Sequence, residues 1–215
     1  MDVAGANSQF LVVGSGLAGL SFALKATKLG DVTILTKNTL LESNSTHAQG
    51  GIAAVISPED SYRSHIEDTL RLGKGLCNRE AVELMVKRAP EEVQWLIDLG
   101  VDFDRTDGDL DLRKEGGHSA RRVAHIGDNI GREIQVTLSR HAQESPRITI
   151  HENVAACDLI VEVEICRGVR ALDKSEARLV NFYAPVTVLA TGGVGQVYSK
   201  TFNPDVATRD GVSLA

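Results

Sequence analysis

Two stretches of this sequence combine residue types and spacings that could do chemistry. Gly14-Ser15-Gly16-Leu17-Ala18-Gly19 sets three glycines in the order that lets a backbone wrap a pyrophosphate. Gly14 permits the tight turn, Gly16 lets the main chain approach phosphate oxygens, and Gly19 lets a helix pack close to the preceding strand. With 20 glycines in 215 residues a chance match is easy, so the flanking residues decide. Phe10–Val13 is a short apolar run suited to a buried parallel strand. Leu20, Ala23, Leu24 and Ala26 follow in helical rhythm. A helix from Leu17 to about Lys28 would aim its positive end at the phosphates. Dinucleotide binding is the expectation.

The second stretch is Ser43-Asn44-Ser45-Thr46-His47-Ala48-Gln49-Gly50-Gly51, followed by Ile52-Ala53-Ala54. It holds hydroxyls, amides and paired glycines with almost no charge. Gly50 and Gly51 can lie against a flat ring without a Cβ in the way, and Gln49 and Ser45 can hydrogen-bond a polar heterocycle edge. Between the two stretches, the strand Val32–Leu35 ends at Thr36-Lys37, where an Asp or Glu would accept from an adenosine ribose. Lys37 is a donor and cannot do this. A cation there suits either the extra phosphate of NADP or an FAD whose adenosine is held differently, and a solvated surface lysine is the plain alternative.

VVGSGLAGL, TILTK, NSTHAQGGIAA, KEGGHSARR, VLATGG and NPDVATRDG occur in that order from Gln9 to Ala215. Together they resemble the flavoprotein family of fumarate reductase and succinate dehydrogenase, most closely its amino-acid branch, the L-aspartate oxidases. The resemblance implies bound FAD, with the glycine turn, Lys37 and residues 44–51 among its contacts. It adds Ala156 on the adenine side, Thr191 and Gly192 along the dinucleotide backbone, and Asp210. In membrane-bound succinate dehydrogenases a histidine five residues before the Gln of this motif carries the flavin covalently. Asn44 stands there and has no nucleophilic ring nitrogen, so non-covalent FAD is expected; His47 is nearer the Gln and off the linking position.

Glu115, in Lys114-Glu115-Gly116-Gly117-His118-Ser119, stands where the dicarboxylate enzymes usually have an uncharged residue. A carboxylate near a bound dicarboxylate repels it by roughly 4 kcal/mol for unit charges at ~4 Å and intermediate dielectric. A substrate ammonium cancels that repulsion, and the resemblance assigns Glu115 to the substrate's amino group; a surface Glu pairing with Lys114 or Arg113 is the plain alternative. The implied reaction is oxidation of L-aspartate to iminoaspartate with hydride passing to the flavin. Electrons would go on to oxygen or fumarate, and the product would feed quinolinate and NAD synthesis, with quinolinate synthase as a possible partner. A soluble fumarate reductase-like dicarboxylate oxidoreductase and a truncated non-catalytic module binding FAD or NADP are the alternatives.

Composition sets the bounds. A net charge of −6, with no basic stripe beyond Arg121-Arg122, argues against nucleic acid. Cys77, Cys157 and Cys166 have no metal spacing and read as reduced thiols of a cytoplasmic protein. No signal peptide is visible at Met1–Asn7, and no apolar run reaches the ~20 residues of a membrane span. No Ser-His-Asp order or HExxH points to hydrolysis. His118 and His125 flank Glu115 and are pocket candidates, whereas His65 and His141, on predicted helix faces, read as ordinary surface or core residues, and His151, at a strand end, is uninformative.

These residues need a scaffold. Helical spacing runs from Asp60 to about Leu72; Asn78 can cap a helix through Arg88, and Pro90 can open another to Leu99, with Trp95, Leu96 and Leu99 buried. Asp102–Asp111 reads as a solvated acidic loop rather than a calcium site. A fourth helix covers Ile130 to about Gln143, and Ile148–His151 is a parallel strand. Asp158–Val163, Gly168–Leu172 and Arg178–Tyr183 form a meander, and Val186–Ala190 returns as a buried strand. The expected class is α/β: a Rossmann-like FAD-binding domain with parallel sheet, flanking helices and a small antiparallel β-meander. Residues 1–8 are expected to be a disordered N-terminus and 9–215 one domain. Family members continue with capping and C-terminal helical domains, so the chain is expected to be a fragment with little oxidase activity of its own.

Overall fold

The computed structural model describes residues 8–215. In chain order the elements are β1 (Phe10–Val13), α1 (Leu17–Ala26), β2 (Val32–Leu35), β3 (Ile52–Ala53), α2 (Tyr62–Leu72), α3 (Arg79–Asp98), β4 (Arg105–Thr106), β5 (Asp109–Leu110), β6 (Leu112–Arg113), β7 (Val123–Ala124), α4 (Ile130–Glu144), β8 (Ile148–His151), β9 (Val154–Glu162), β10 (Ile165–Asp173), β11 (Arg178–Tyr183), β12 (Val186–Leu189) and α5 (Asp210–Leu214). The chain divides into two compact units. One is Ala48–Ile134; the other joins the chain up to His47 with Gln135–Ala215. The span read as one domain therefore carries an inserted unit, and no Pro- or Gly-rich linker betrays either crossing. The expected disordered segment 1–8 falls outside the described residues as far as residue 7. Ser8 is buried, and its hydroxyl donates to the Phe10 carbonyl at 3.1 Å.

In the first unit, β12-β1-β2-β8 form a parallel sheet. The runs Leu11–Val13 and Val32–Leu35 are buried throughout, as strands covered on both faces must be. A second, antiparallel sheet, β11-β10-β9, packs its apolar side against the first. Leu11, Val13 and Leu35 meet Val154, Val169, Ala171, Val180 and Phe182 in that core. The Rossmann-like α/β class and the meander are as the sequence indicates. β9 begins at Val154, four residues before the apolar run that marks it in the sequence.

In the second unit, Asn78 caps α3 through its side chain, accepting from Ala81 N at 3.1 Å, and the helix runs unbroken to Asp98. The break expected before Pro90 does not occur. Val82, Val86, Val93 and Leu96 share one buried face, and Val82 and Val86 pack on Ile66 of α2. That burial outweighs the hydrogen bond which Pro90, having no N–H, cannot make. Leu96 is buried as expected, while Trp95 and Leu99 are only partly so. The acidic stretch expected as a loop holds the β4–β5 hairpin. β3-β7-β6 form an antiparallel sheet whose two-residue strands are too short to leave an alternating pattern.

Candidate functional site

The carboxyl ends of β1, β2 and β12 open into a cavity in the first unit. This is where open parallel sheets place their ligands. Its floor is the glycine turn. Gly14 has φ +111°, and a Cβ there would come within 2.3 Å of the Ala190 carbonyl oxygen. Gly19 faces inward, where a Cβ would meet the Gly14 carbonyl at 2.0 Å, so α1 sits directly on the turn. The turn is pinned by Gly14 N to Leu35 O at 2.9 Å and by Ala190 N to Val13 O at 2.8 Å.

Ten of the expected cofactor residues line this cavity: Gly14, Ser15, Gly16, Lys37, Asn44, Ser45, Ala156, Thr191, Gly192 and Asp210. Their roles differ from what side-chain chemistry alone suggests. The Ser15 hydroxyl is buried and donates to Thr36 Oγ1 at 2.9 Å, so only its main chain is offered to a ligand. Ser45 Oγ accepts from Leu17 N at 3.2 Å, binding the polar loop to the start of α1. Asn44 Oδ1 is buried with no hydrogen-bond partner among the described residues. An orphaned acceptor on a cavity wall is a place for a ligand's donor.

Lys37 is committed elsewhere. Its Nζ lies 2.6 Å from Asp210 Oδ2 and also donates to Thr208 Oγ1, which in turn donates to Asp210 Oδ1 at 2.7 Å. Burial pushes the Asp210 carboxyl up, but hydrogen bonds from Lys37 and Thr208 outweigh it and hold it below the usual carboxylate range. A lysine neutralised this way is a poor receptor for an extra ribose phosphate, which weakens the NADP option. Gly14, the helix start, the small Ala156 wall and the orphaned Asn44 acceptor fit the dinucleotide half of FAD.

Leu17, Ala18 and Gly19 form the first turn of α1 and do not line the cavity. Thr46 ties the loop to itself, its N–H donating to Ser43 O at 3.2 Å. His47 is exposed. The sequence reading missed Gln135, which is fully buried and donates from Nε2 to Ser15 O at 2.7 Å and to Leu40 O at 2.8 Å. It braces the glycine turn from 120 positions away, and no local pattern could reveal it.

Ala48, Gln49, Gly50 and Gly51 belong to the second unit and are exposed. A Cβ on Gly50 would lie 3.4 Å from Glu115 Oε1, so the expected substrate-facing carboxylate stands beside the paired glycines. Gly51 has a further reason to be glycine, since a Cβ there would meet Val123 Cγ1 at 2.4 Å and Ala124 O at 2.6 Å. Glu115 is exposed and pairs with neither Lys114, which donates to Ser119 O at 3.0 Å, nor Arg113. His118 stacks edge-on against His65, with ring centroids 6.1 Å apart. His125 is buried, with Nδ1 2.8 Å from Asp104 Oδ2 and Nε2 3.2 Å from Asp111 Oδ2. Among the described residues no cluster of three His, Cys, Asp or Glu could hold a metal, and no helix is long and apolar enough to cross a membrane.

Comparison with known proteins agrees with this geometry. Residues 9–215 match the model of a family described as FAD binding domain. L-aspartate oxidase 2-b, chloroplastic, of Nicotiana tabacum is 42% identical over 211 residues, covering 96% of this chain and 33% of that protein. The structure of the Mycobacterium smegmatis Sdh1 complex in the apo form superposes with a TM-score of 0.93 at 34% identity, covering 97% of this chain and 38% of that one. A quinol-fumarate reductase with menaquinol molecules gives 0.92 at 30% identity, covering 97% and 37%. The chain thus spans about a third of the length of the curated relative it matches.

Proposed function

The chain belongs to the FAD binding domain family of these oxidoreductases, and from that premise we propose that it is the FAD-holding portion of an L-aspartate oxidase. The observation that carries the reading is Glu115. It is an exposed carboxylate without a cationic partner in its own loop, beside Gly50, on a scaffold whose relatives include dicarboxylate enzymes. Beside a substrate with two carboxylates, such a charge is unfavourable unless the substrate also carries a cation. L-aspartate does; succinate does not.

In the proposed reaction L-aspartate loses a hydride from Cα and a proton from nitrogen, giving iminoaspartate. FAD, when bound, would supply the two-electron acceptor, with oxygen or fumarate as the final acceptor. The chain's own residues bind and orient. The main chain of Gly14, Ser15 and Gly16, which lines the cavity at the N-terminal end of α1, would hold the pyrophosphate, with no Cβ on Gly14 or Gly16 to obstruct it. Asn44 Oδ1 would accept a hydrogen bond from the dinucleotide and offers no nucleophile for a covalent link. Glu115 accepts hydrogen bonds from the substrate ammonium. The product would be consumed by quinolinate synthase on the way to NAD, and the unpaired thiols Cys77, Cys157 and Cys166 suit a reducing compartment such as the cytoplasm.

Exchanging the carboxylate for its amide tests the reading. In the intact protein that carries this chain, Glu115→Gln is expected to raise the KM for L-aspartate about tenfold or more while improving the binding of succinate or fumarate. Equal losses for both ligand classes would sink the assignment of Glu115 to the ammonium.

A further inference from the structure

The turn that carries Glu115 is held by charge buried in the second unit. Arg122 is fully buried and donates to both oxygens of Asp60, Nε to Oδ2 at 2.8 Å and Nη2 to Oδ1 at 2.9 Å. Its remaining nitrogen, Nη1, donates to Asp68 Oδ2 at 2.9 Å. Asp68, on α2 and 5% exposed, spends the same oxygen on the turn: Ser119 N donates at 2.6 Å and Ser119 Oγ at 2.7 Å. Its other oxygen accepts from Arg71 Nη2 at 2.7 Å, and that nitrogen also donates to Gly117 O at 2.8 Å. Two cations and two carboxylates balance, so the cluster is neutral. Burial pushes the Asp68 carboxyl up, yet the hydrogen bonds from Ser119, Arg71 and Arg122 more than reverse this and hold it well below the usual range.

The turn itself joins β6 to β7, closed at its base by Arg122 N to Arg113 O at 3.1 Å and at its tip by His118 N to Glu115 O at 3.1 Å. Glu115 is thus two residues from Gly117 and four from Ser119, the points that Arg71 and Asp68 grip. An exposed glutamate in a glycine-containing turn would otherwise sample many positions.

We propose that Asp68 and Arg71 are positioning residues that fix the 115–119 turn, so that the Glu115 carboxylate meets a substrate ammonium at one defined place. The inference rests on the reading of Glu115 given above. Arg71 is the residue to test, because its side chain is 61% exposed and its loss leaves no cavity.

The experiment compares the intact protein with Arg71→Met, Arg71→Lys, Glu115→Gln and the Arg71→Met/Glu115→Gln double variant. KM and kcat for L-aspartate, the Kd of fumarate and the FAD content are measured for each. Arg71→Met is expected to raise the KM for L-aspartate about tenfold with kcat, fumarate Kd and FAD content nearly unchanged. Arg71→Lys should recover part of this, and Arg71→Met should cost nothing further once Glu115 is Gln. Fumarate binding or FAD content falling in step with aspartate use would overturn the proposal, as would additive losses in the double variant or an unchanged KM. Wild-type protein that does not oxidise L-aspartate would instead overturn the reading on which it rests.

Discussion

Lys37 and His65 illustrate how far a single residue can be read from its type. Lys37 stands where a ribose acceptor would, and its charge suggests an anion; the anion it meets is Asp210, 173 positions away. The residue was legible, its partner was not, because the pairing depends on the whole chain folding back. His65 offers no signal in sequence beyond a place on a helix, yet it lies buried beside Arg122 and His118. Burial, then the Arg122 and His118 charges, push its imidazole below the ordinary 6.5, against the pull of Asp60 and Asp68. The unfolded chain therefore takes up the proton first as pH falls. The stability tied to the neutral ring is full above 6.5 and is lost as pH falls from there through the folded pKa. Thermal melts should show the melting temperature dropping by a few degrees between about pH 7.5 and about pH 5.5, with a shallower drop for His65→Asn. Identical slopes for wild type and variant would contradict this.

At the scale of elements, β1, its glycine turn and α1 were legible because three independent signals coincide: a buried apolar run, GxGxxG spacing and helical periodicity. β2, β8 and the three meander strands were legible from their apolar runs alone, with the start of β9 read four residues late. Pro90 misled because its local cost is real but smaller than what Val86 and Val93 contribute on the buried face of α3. The two-residue strands β3 to β7 are too short for any periodicity and exist through their pairing. The turn after β1 is the element on which the cavity depends most. Gly14→Ala would force a Cβ to within 2.3 Å of the Ala190 oxygen at φ +111°. Expected outcomes are a destabilisation of about 2 kcal/mol or more by denaturant titration and loss of bound flavin. Retained flavin at wild-type stability would show that the turn is not held as tightly as the geometry implies.

For the whole molecule, the family and the α/β class were readable from six ordered motifs, whereas the division into two units was not. What each unit contributes is nonetheless distinct: one presents the glycine-floored cavity, the other presents Glu115 on a turn braced by buried charge. The account as a whole rests on these serving one reaction in the protein that contains them. The most direct measurement is an anaerobic titration of the purified intact protein with L-aspartate, and separately with succinate, followed by the flavin absorbance and by acid precipitation. The account predicts a yellow protein that L-aspartate bleaches and succinate does not, releasing its flavin into the acid supernatant. A colourless protein, or one bleached by succinate and indifferent to L-aspartate, would contradict it.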